Sequence, residues 1–377
     1  MEQIGFNKPY MVGRELSYIA EAHFKGMLAG DGRFTRHCQD WLERQTGTHR
    51  ALLTHSCTAA LEMAAILADI RPGDEVIMPS YTFVSTANAF LLRGAVPVFV
   101  DIRADDLNLD ERKIEAAITP RTRAIVPVHY AGVGCQMDEI MKIADRFRLL
   151  VIEDAAQGIM ATYRDRALGS IGHFGTLSFH ETKNIIAGEG GALLINDPVF
   201  AERAEIIREK GTNRSLFFRG QIDKYTWVDI GSSYLPGEII AAFLWAQMEE
   251  AEAISTRRMA LWKRYHEGLK GLEEVGRVRR PLIGADSRHN AHMYYLILRD
   301  LADRTAFIDA MRAEGVSCVF HYVPLHSSPM GREVGRTAGT LDVTTNLAER
   351  LVRLPLWLGI EPHLDRVIEL IHRVLAK

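Results

Sequence analysis

The sequence predicts an α/β fold: a mostly parallel sheet covered by helices on both faces, followed by a smaller α+β portion. Two observations predict the first part. Short runs rich in Val and Ile recur through the first two-thirds of the chain, and amphipathic stretches of helical period separate them. A third observation predicts the second part: beyond about residue 240 the pattern becomes a long helical stretch and then loose strand and helix signals.

The runs Glu75–Pro79, Val96–Asp101, Ala124–Val128 and Leu149–Asp154 read as buried strands, because they lack the alternation of a strand with one wet face. Asp110–Ile118 and Met137–Phe147 read as helices between them. A long helix is expected from about Pro236 to His266, then a strand at Met293–Leu298 and a helix near Arg304–Glu314. A strand near Val316–His321 and a last helix at Leu364–Leu375 complete the pattern. The expected division is a large domain, residues 1–240, with an N-terminal arm, and residues 241–377 as connecting helix and small domain. A chain of 377 residues fits two such units.

Composition narrows the function classes. Apolar residues make up 47% and charged residues 25%, an ordinary globular balance. Formal net charge is −3, so no global field favours nucleic acid. The four cysteines are scattered without a CxxC pair, and no apolar run approaches the roughly 20 residues of a membrane helix. The N-terminus has neither a basic segment nor an apolar core of the secretory kind. The expectation is a reduced, cytoplasmic protein without metal, nucleic-acid or membrane partners.

In parallel sheets, chemistry collects at the carboxyl ends of strands, and four segments lie there. Thr54-His-Ser-Cys-Thr-Ala-Ala-Leu61 passes from strand to helix, where free amides and the helix dipole suit an anion, although Ser and Thr cap many helices for purely structural reasons. Glu153-Asp-Ala-Ala-Gln157 puts Asp154 at a buried strand end. It is either a helix cap or a carboxylate kept charged by an opposing cation such as a protonated pyridine nitrogen. Ser178-Phe-His-Glu-Thr-Lys183 precedes a glycine-rich turn, Gly188-Glu-Gly-Gly191. Lys183 is either solvated, as most loop lysines are, or a Schiff-base former whose pKa burial lowers. Pro79-Ser-Tyr-Thr-Phe-Val-Ser-Thr86 places aromatics past a strand end, for core packing or for stacking on a flat ring. Gly132-Val-Gly-Cys-Gln-Met137 supplies only half of a dinucleotide fingerprint; there is no GxxxxGK[ST] loop and no HExxH.

Taken in order, Ser56–Leu61, Pro79–Phe83, Glu153–Gln157, Ser178–Asn184, Gly188–Gly191 and His321-Tyr-Val-Pro-Leu-His326 resemble the DegT, DnrJ, EryC1 and StrS family of sugar aminotransferases, which use pyridoxal 5′-phosphate (PLP) on the fold-type I scaffold. Lys210-Gly-Thr-Asn-Arg214 and Asp223-Lys-Tyr-Thr-Trp227 extend the resemblance to the transaminases that make dTDP-4-amino-4,6-dideoxygalactose for enterobacterial polysaccharides. The resemblance implies Lys183 as Schiff-base lysine and proton carrier, and Asp154 as partner of the pyridine nitrogen. It places Gln157 at the phenolic oxygen and Phe83 on the ring face. It assigns Ser178, Thr58 and the amides of Cys57 to Ala59 to the phosphate. It also implies a homodimer whose sites lie at the subunit interface, with L-glutamate and a nucleotide-linked keto sugar as substrates.

Two departures stand out. Cys57 replaces the usual Gly or Ala, and the family's Gly-x-Asn-x-Arg, lent from the neighbouring subunit, reads Gly231-Ser-Ser-Tyr-Leu235. Ser233 is the shortened phosphate contact and Leu235 the missing arginine, leaving Arg214, Arg219 or Lys224 to meet the nucleotide. Lys8, Tyr322 and His326 are the expected sugar contacts. Rival readings are the gluco epimer, amination at C3, a UDP-linked sugar, a sugar dehydratase (whose lysine is replaced by histidine) and a PLP-binding regulator or scaffold without turnover.

Overall fold

The computed structural model describes residues 3–376. Its frame is an eight-stranded sheet with the spatial order Arg50–Thr54, Gly191–Ile195, Phe174–Ser178, Leu150–Asp154, Thr122–Ile125, Glu75–Pro79, Val96–Val100, Arg336–Thr337. From Phe174–Ser178 to the Arg336 edge every pairing is parallel. Gly191–Ile195 runs antiparallel to both of its neighbours.

Side-chain alternation sends each strand's residues to two faces, and both are covered, which is why the runs carry no polar stripe. Leu53, Ile77, Val98 and Val151 pack with Phe34 and Leu42 of helix Arg33–Thr46 and Ile140 of helix Met137–Phe147. Leu52, Val76, Phe99 and Ile152 pack with Ala60 and Ala64 of helix Cys57–Leu67 and Phe90 of helix Val84–Leu91. The fold class predicted from sequence is therefore the one observed.

A separate core forms around the antiparallel pair Tyr294–Ile297 and Leu351–Leu354. Leu296 and Val352 there meet Leu261, Phe307 and Ile371 from helices Ala251–Gly268, Leu301–Ala313 and Leu364–Leu375.

Three local expectations are corrected. The long helix is two helices, Glu238–Glu249 and Ala251–Gly268, broken at Glu250. Ala241, Leu244 and Met248 face the sheet core while Ile254, Leu261 and Tyr265 face the C-terminal one, and the break lets one apolar stripe serve two cores. Val316–His321 is extended but meets different neighbours at Val316 (Ile4) and Val319 (Arg353), so no ladder forms. Asp110–Ile118 folds as a 3-10 turn, Glu111–Lys113, running into the single turn Ile114–Ala117. Among the described residues no helix is long and apolar enough to cross a membrane.

Candidate active site

The carboxyl ends of the sheet strands and the C-terminal pair enclose a cavity of about 570 Å³. One wall is the start of helix Cys57–Leu67. Ser56 caps it by accepting the Ala59 amide at 3.1 Å, so the Ala59 N–H assigned above to a phosphate is already used, and Ala59 does not line the cavity. The amides of Cys57 and Thr58 have no acceptor within the helix because of their first-turn position. Thr58 donates its hydroxyl to Ser85 at 2.8 Å, and Ser56, Cys57, Thr58, Ser85 and Ser178 all line the cavity. A Cβ on Gly191 would come within 2.4 Å of the Cys57 nitrogen, so the antiparallel strand can back this turn only as glycine.

A second wall is the end of strand Leu150–Asp154. Asp154 is 5% exposed. Its Oδ2 accepts the Thr86 hydroxyl at 2.7 Å and its Oδ1 the Ala156 amide at 3.1 Å. Because the Thr86 proton goes to the carboxylate, Thr82, at 2.8 Å, donates to Thr86. None of the ion pairs among the described residues includes Asp154; it is a buried, hydrogen-bonded carboxylate at the cavity's edge, and a cation brought by a ligand would complete it.

Lys183 follows strand Phe174–Ser178 in a loop tied by Phe179 to Gly190 (2.9 Å) and by Glu181 to Gly188 (2.8 Å). Half-buried, it lines the cavity, and desolvation pulls its pKa below the ordinary lysine value while Cys57 and Asp154 oppose the shift. The amine is thereby biased toward its free, nucleophilic form.

Gln157 is locked at both ends. Its Oε1 accepts the Ala131 amide at 2.6 Å and its Nε2 donates to the Tyr322 hydroxyl at 2.9 Å. Tyr322 stacks on His321 with centroids 3.6 Å apart, and Phe83 lies 6.3 Å from Tyr322 at the rim, 58% exposed. The structure thus brings together Cys57, Thr58, Phe83, Asp154, Gln157, Ser178, Lys183 and Tyr322.

The other predicted contacts do not line the cavity of one chain. Lys8 lies over Trp357 at 5.7 Å. His326 is engaged by Ser80 at 2.7 Å, so it fixes a chain segment against the sheet end instead of facing the cavity. Arg214 lies over Phe218 at 5.0 Å, Arg219 pairs with Glu205 at 2.7 Å, and Lys224 is exposed. Ser233 bridges to Glu209, and Leu235 packs so closely on Gly30 that a Cβ there would meet its Cδ1 at 2.5 Å.

Sequence reasoning missed Ser85, His292 and Arg353. His292 Nδ1 lies 3.1 Å from Asn184 Oδ1, whose Nδ2 donates to Asn290 O. Burial drives its pKa well down, so it is neutral, with Nδ1 as the donor. Ser85 lies within the Pro79–Thr86 segment but is given no role there, whereas His292 and Arg353 carry no motif signal.

An amine, a buried carboxylate and a hydroxyl-lined helix start on one cavity fit an aldehyde-bearing pyridine phosphate. Residues 9–372 match the DegT/DnrJ/EryC1/StrS aminotransferase family. The chain is 35% identical over 350 residues to the uncharacterized protein MJ1066 of Methanocaldococcus jannaschii, spanning 91% of this chain and 89% of that one. It is 33% identical over 381 residues to a GDP-perosamine synthase of Caulobacter vibrioides, spanning 100% and 99%. Among solved structures, S. venezuelae DesV superposes with a TM-score of 0.90 at 29% identity over 100% of both chains. The chain belongs to the DegT/DnrJ/EryC1/StrS aminotransferase family and is a PLP-dependent sugar aminotransferase.

Proposed function

We propose that the protein moves an amino group from L-glutamate to C4 of dTDP-4-keto-6-deoxy-D-glucose, giving dTDP-4-amino-4,6-dideoxy-D-galactose and 2-oxoglutarate. The observation that carries the reading is the shared cavity of Lys183 and Asp154, an amine whose pKa burial lowers beside a buried, hydrogen-bonded carboxyl group. Bound PLP supplies the electron sink of the reaction. Lys183 would hold the cofactor at rest, and its Nζ would take the proton from the donor's α-carbon and later deliver one to C4 of the sugar. Asp154, aimed by Thr86, would face the pyridine nitrogen, and Gln157 the phenolic oxygen. Phe83 would pack on the ring, while Ser178, Thr58 and the Cys57 amide would hold the phosphate. The galacto product follows from the motif resemblance, and the proton's face of delivery decides it.

A homodimer belongs to this reading. Trp227, at 78% exposure, and Phe218, Tyr225 and Val228 around it form an uncovered apolar loop beside Ser233 and the basic groups Arg214, Arg219 and Lys224. A second copy that covers the loop would carry those groups to its neighbour's cavity, where Tyr322 is the sugar contact that lines the wall. The likeness to a GDP-perosamine synthase favours one further reading, a GDP-linked keto sugar at the same site. Incubating holoenzyme and L-glutamate with dTDP-, UDP- and GDP-linked 4-keto sugars, and reading the product by NMR, separates these. Large trans-diaxial couplings at the C4 proton would mean the gluco epimer, and turnover of the GDP sugar alone would replace the nucleotide named here.

A further inference from the structure

Near Lys183 stands a ring nitrogen whose hydrogen-bonding role is fixed by its neighbours and left unused by them. His292 lines the cavity from the segment that leads into strand Tyr294–Ile297. The backbone there is held from two sides. Buried Arg258, on helix Ala251–Gly268, donates Nε to the Ala291 carbonyl at 3.2 Å and Nη2 to the His292 carbonyl at 2.7 Å. Asn290 donates Nδ2 to the carbonyls of Gln157 at 2.8 Å and Ile159 at 2.7 Å. The side chain is held as well. A carbonyl only accepts, so the Asn184 atom that meets Asn290 O is its amide nitrogen, and the atom facing His292 Nδ1 is Asn184 Oδ1. Nδ1 must then carry the proton, and in the neutral ring Nε2 keeps a bare lone pair. Among the described residues nothing donates to Nε2, and it is not sealed off from the cavity that the ring lines. Four side chains thus fix an acceptor that no group of this chain answers.

We propose that His292 Nε2 accepts the hydrogen bond of the hydroxyl on C3 of the keto sugar, which makes His292 a specificity-determining residue of the sugar half-reaction. The inference rests on the transaminase reading above and names the hexose position that is read. The chemistry of the ligands selects this group. A carboxylate or phosphate offers only lone pairs, which a lone pair on Nε2 repels, so neither the acid groups of the amino donor nor the cofactor's phosphate fits there. The donor's amine is the reacting group itself. The keto sugar brings neutral hydroxyl donors. Position chooses among them, because His292 is near enough to Lys183 for the two to act on each other electrostatically, which puts it in the neighbourhood of the reacting carbon. One neighbour of C4 is C5, which carries the ring oxygen and the methyl group and no hydroxyl. The other is C3, which carries one. The 2-hydroxyl lies a carbon further off, and the diphosphate hangs from C1 across the ring.

The test follows the sugar and glutamate half-reactions separately in the holoenzyme, using the 4-keto-6-deoxy sugar on whichever nucleotide the enzyme accepts, and its 3-deoxy analogue. The wild type is expected to use the analogue about 10-fold less well in kcat/KM, the scale of one hydrogen bond left unmade at a desolvated acceptor. His292→Asn places an amide N–H where Nδ1 was and removes Nε2, so the contact with Asn184 is kept. This variant is expected to lose about 10-fold with the 3-hydroxy sugar, less than about threefold with glutamate, and to treat the two sugars alike within about twofold. Wild-type indifference to the 3-hydroxyl would overturn the assignment, and that measurement does not depend on the variant folding. So would a variant that still discriminates, or one that slows both half-reactions equally, as a loosened Asn184 loop would. A shifted pH midpoint of covalent PLP attachment in the variant would assign Nε2 to Lys183 and overturn the sugar contact too. Failure of the underlying reading looks different: the wild type would form no 4-amino sugar from any 4-keto substrate, and the inference would fall with it.

Discussion

Two regions of this molecule hold the predicted chemistry in opposite ways. Around Asp154 and Lys183 each group is anchored inside one chain: Thr82 orients Thr86, Thr86 orients Asp154, and Gln157 is bonded at both ends. Across residues 211–235, Arg214, Arg219, Lys224 and Ser233 sit among exposed aromatics, tied at most to a neighbouring carboxylate or ring. The first region is preorganised for a cofactor; the second is exposed surface that the proposed homodimer would cover. The contrast teaches that a single chain can anchor the groups proposed for the reaction, and that under the proposed homodimer substrate choice would be left to what covers the loop.

The sharpest way to break the contrast is at Lys183. Lys183→Ala is expected to lower turnover by roughly 10⁴-fold or more, with loss of borohydride-reducible PLP and an unchanged circular dichroism spectrum. In the wild type, covalent attachment of PLP should rise with pH through a midpoint below 10.5, because burial lowers the lysine pKa. A midpoint at or above that value would show the amine to be solvated. Asp154→Asn should keep PLP but lose about 10²- to 10³-fold in the glutamate half-reaction, measured in stopped flow. A near-normal rate would reduce Asp154 to a structural cap.

A charge outside the site should matter to stability instead. Glu75 is fully buried, and bonding to Arg336, with Thr119 and Arg121, holds its carboxyl at about 2. Its stabilisation is present above the ordinary value of 4.5 and is lost as pH falls from there toward 2. Glu75→Gln should cost about 3 kcal/mol in denaturant unfolding at neutral pH and flatten the acid limb. Thr86→Val, similar in shape but without the donor, should cost about 10-fold in turnover through a loosened Asp154. The smallest effect tests the other region: Arg219→Ala should change unfolding free energy by at most about 1 kcal/mol, since the Arg219 side chain is 43% exposed and the buried Glu205 keeps its pair with Arg50. A large stability loss there would mean that the loop is part of the single-chain fold after all.

Much of the first region was legible in the sequence, because strand ends, a helix start and a glycine turn are local signals, and six such signals occur in order. What stayed hidden is non-local. Arg353 and His292 come from segments with no motif, and only the meeting of Leu351–Leu354 with the sheet's end gives them meaning. Ala59 read as an anion donor because sequence shows that an amide exists but not whether Ser56 has claimed it. The break at Glu250 was invisible since the residues on either side are good helix formers, and only the change of core explains it.

The short strand Arg336–Thr337 joins the parallel sheet beside Val96–Val100, and Arg336 reaches across to Glu75 and to the carbonyl of Ala117. The chain thus returns from its C-terminal core to stitch the sheet's far edge before going back to form Leu351–Leu354. The two-residue strand and the helix pair connect the C-terminal core to the sheet at two places, and any swing of that core away from the sheet would first have to break the Arg336 bonds to Glu75 and Ala117 or carry the edge strand with it.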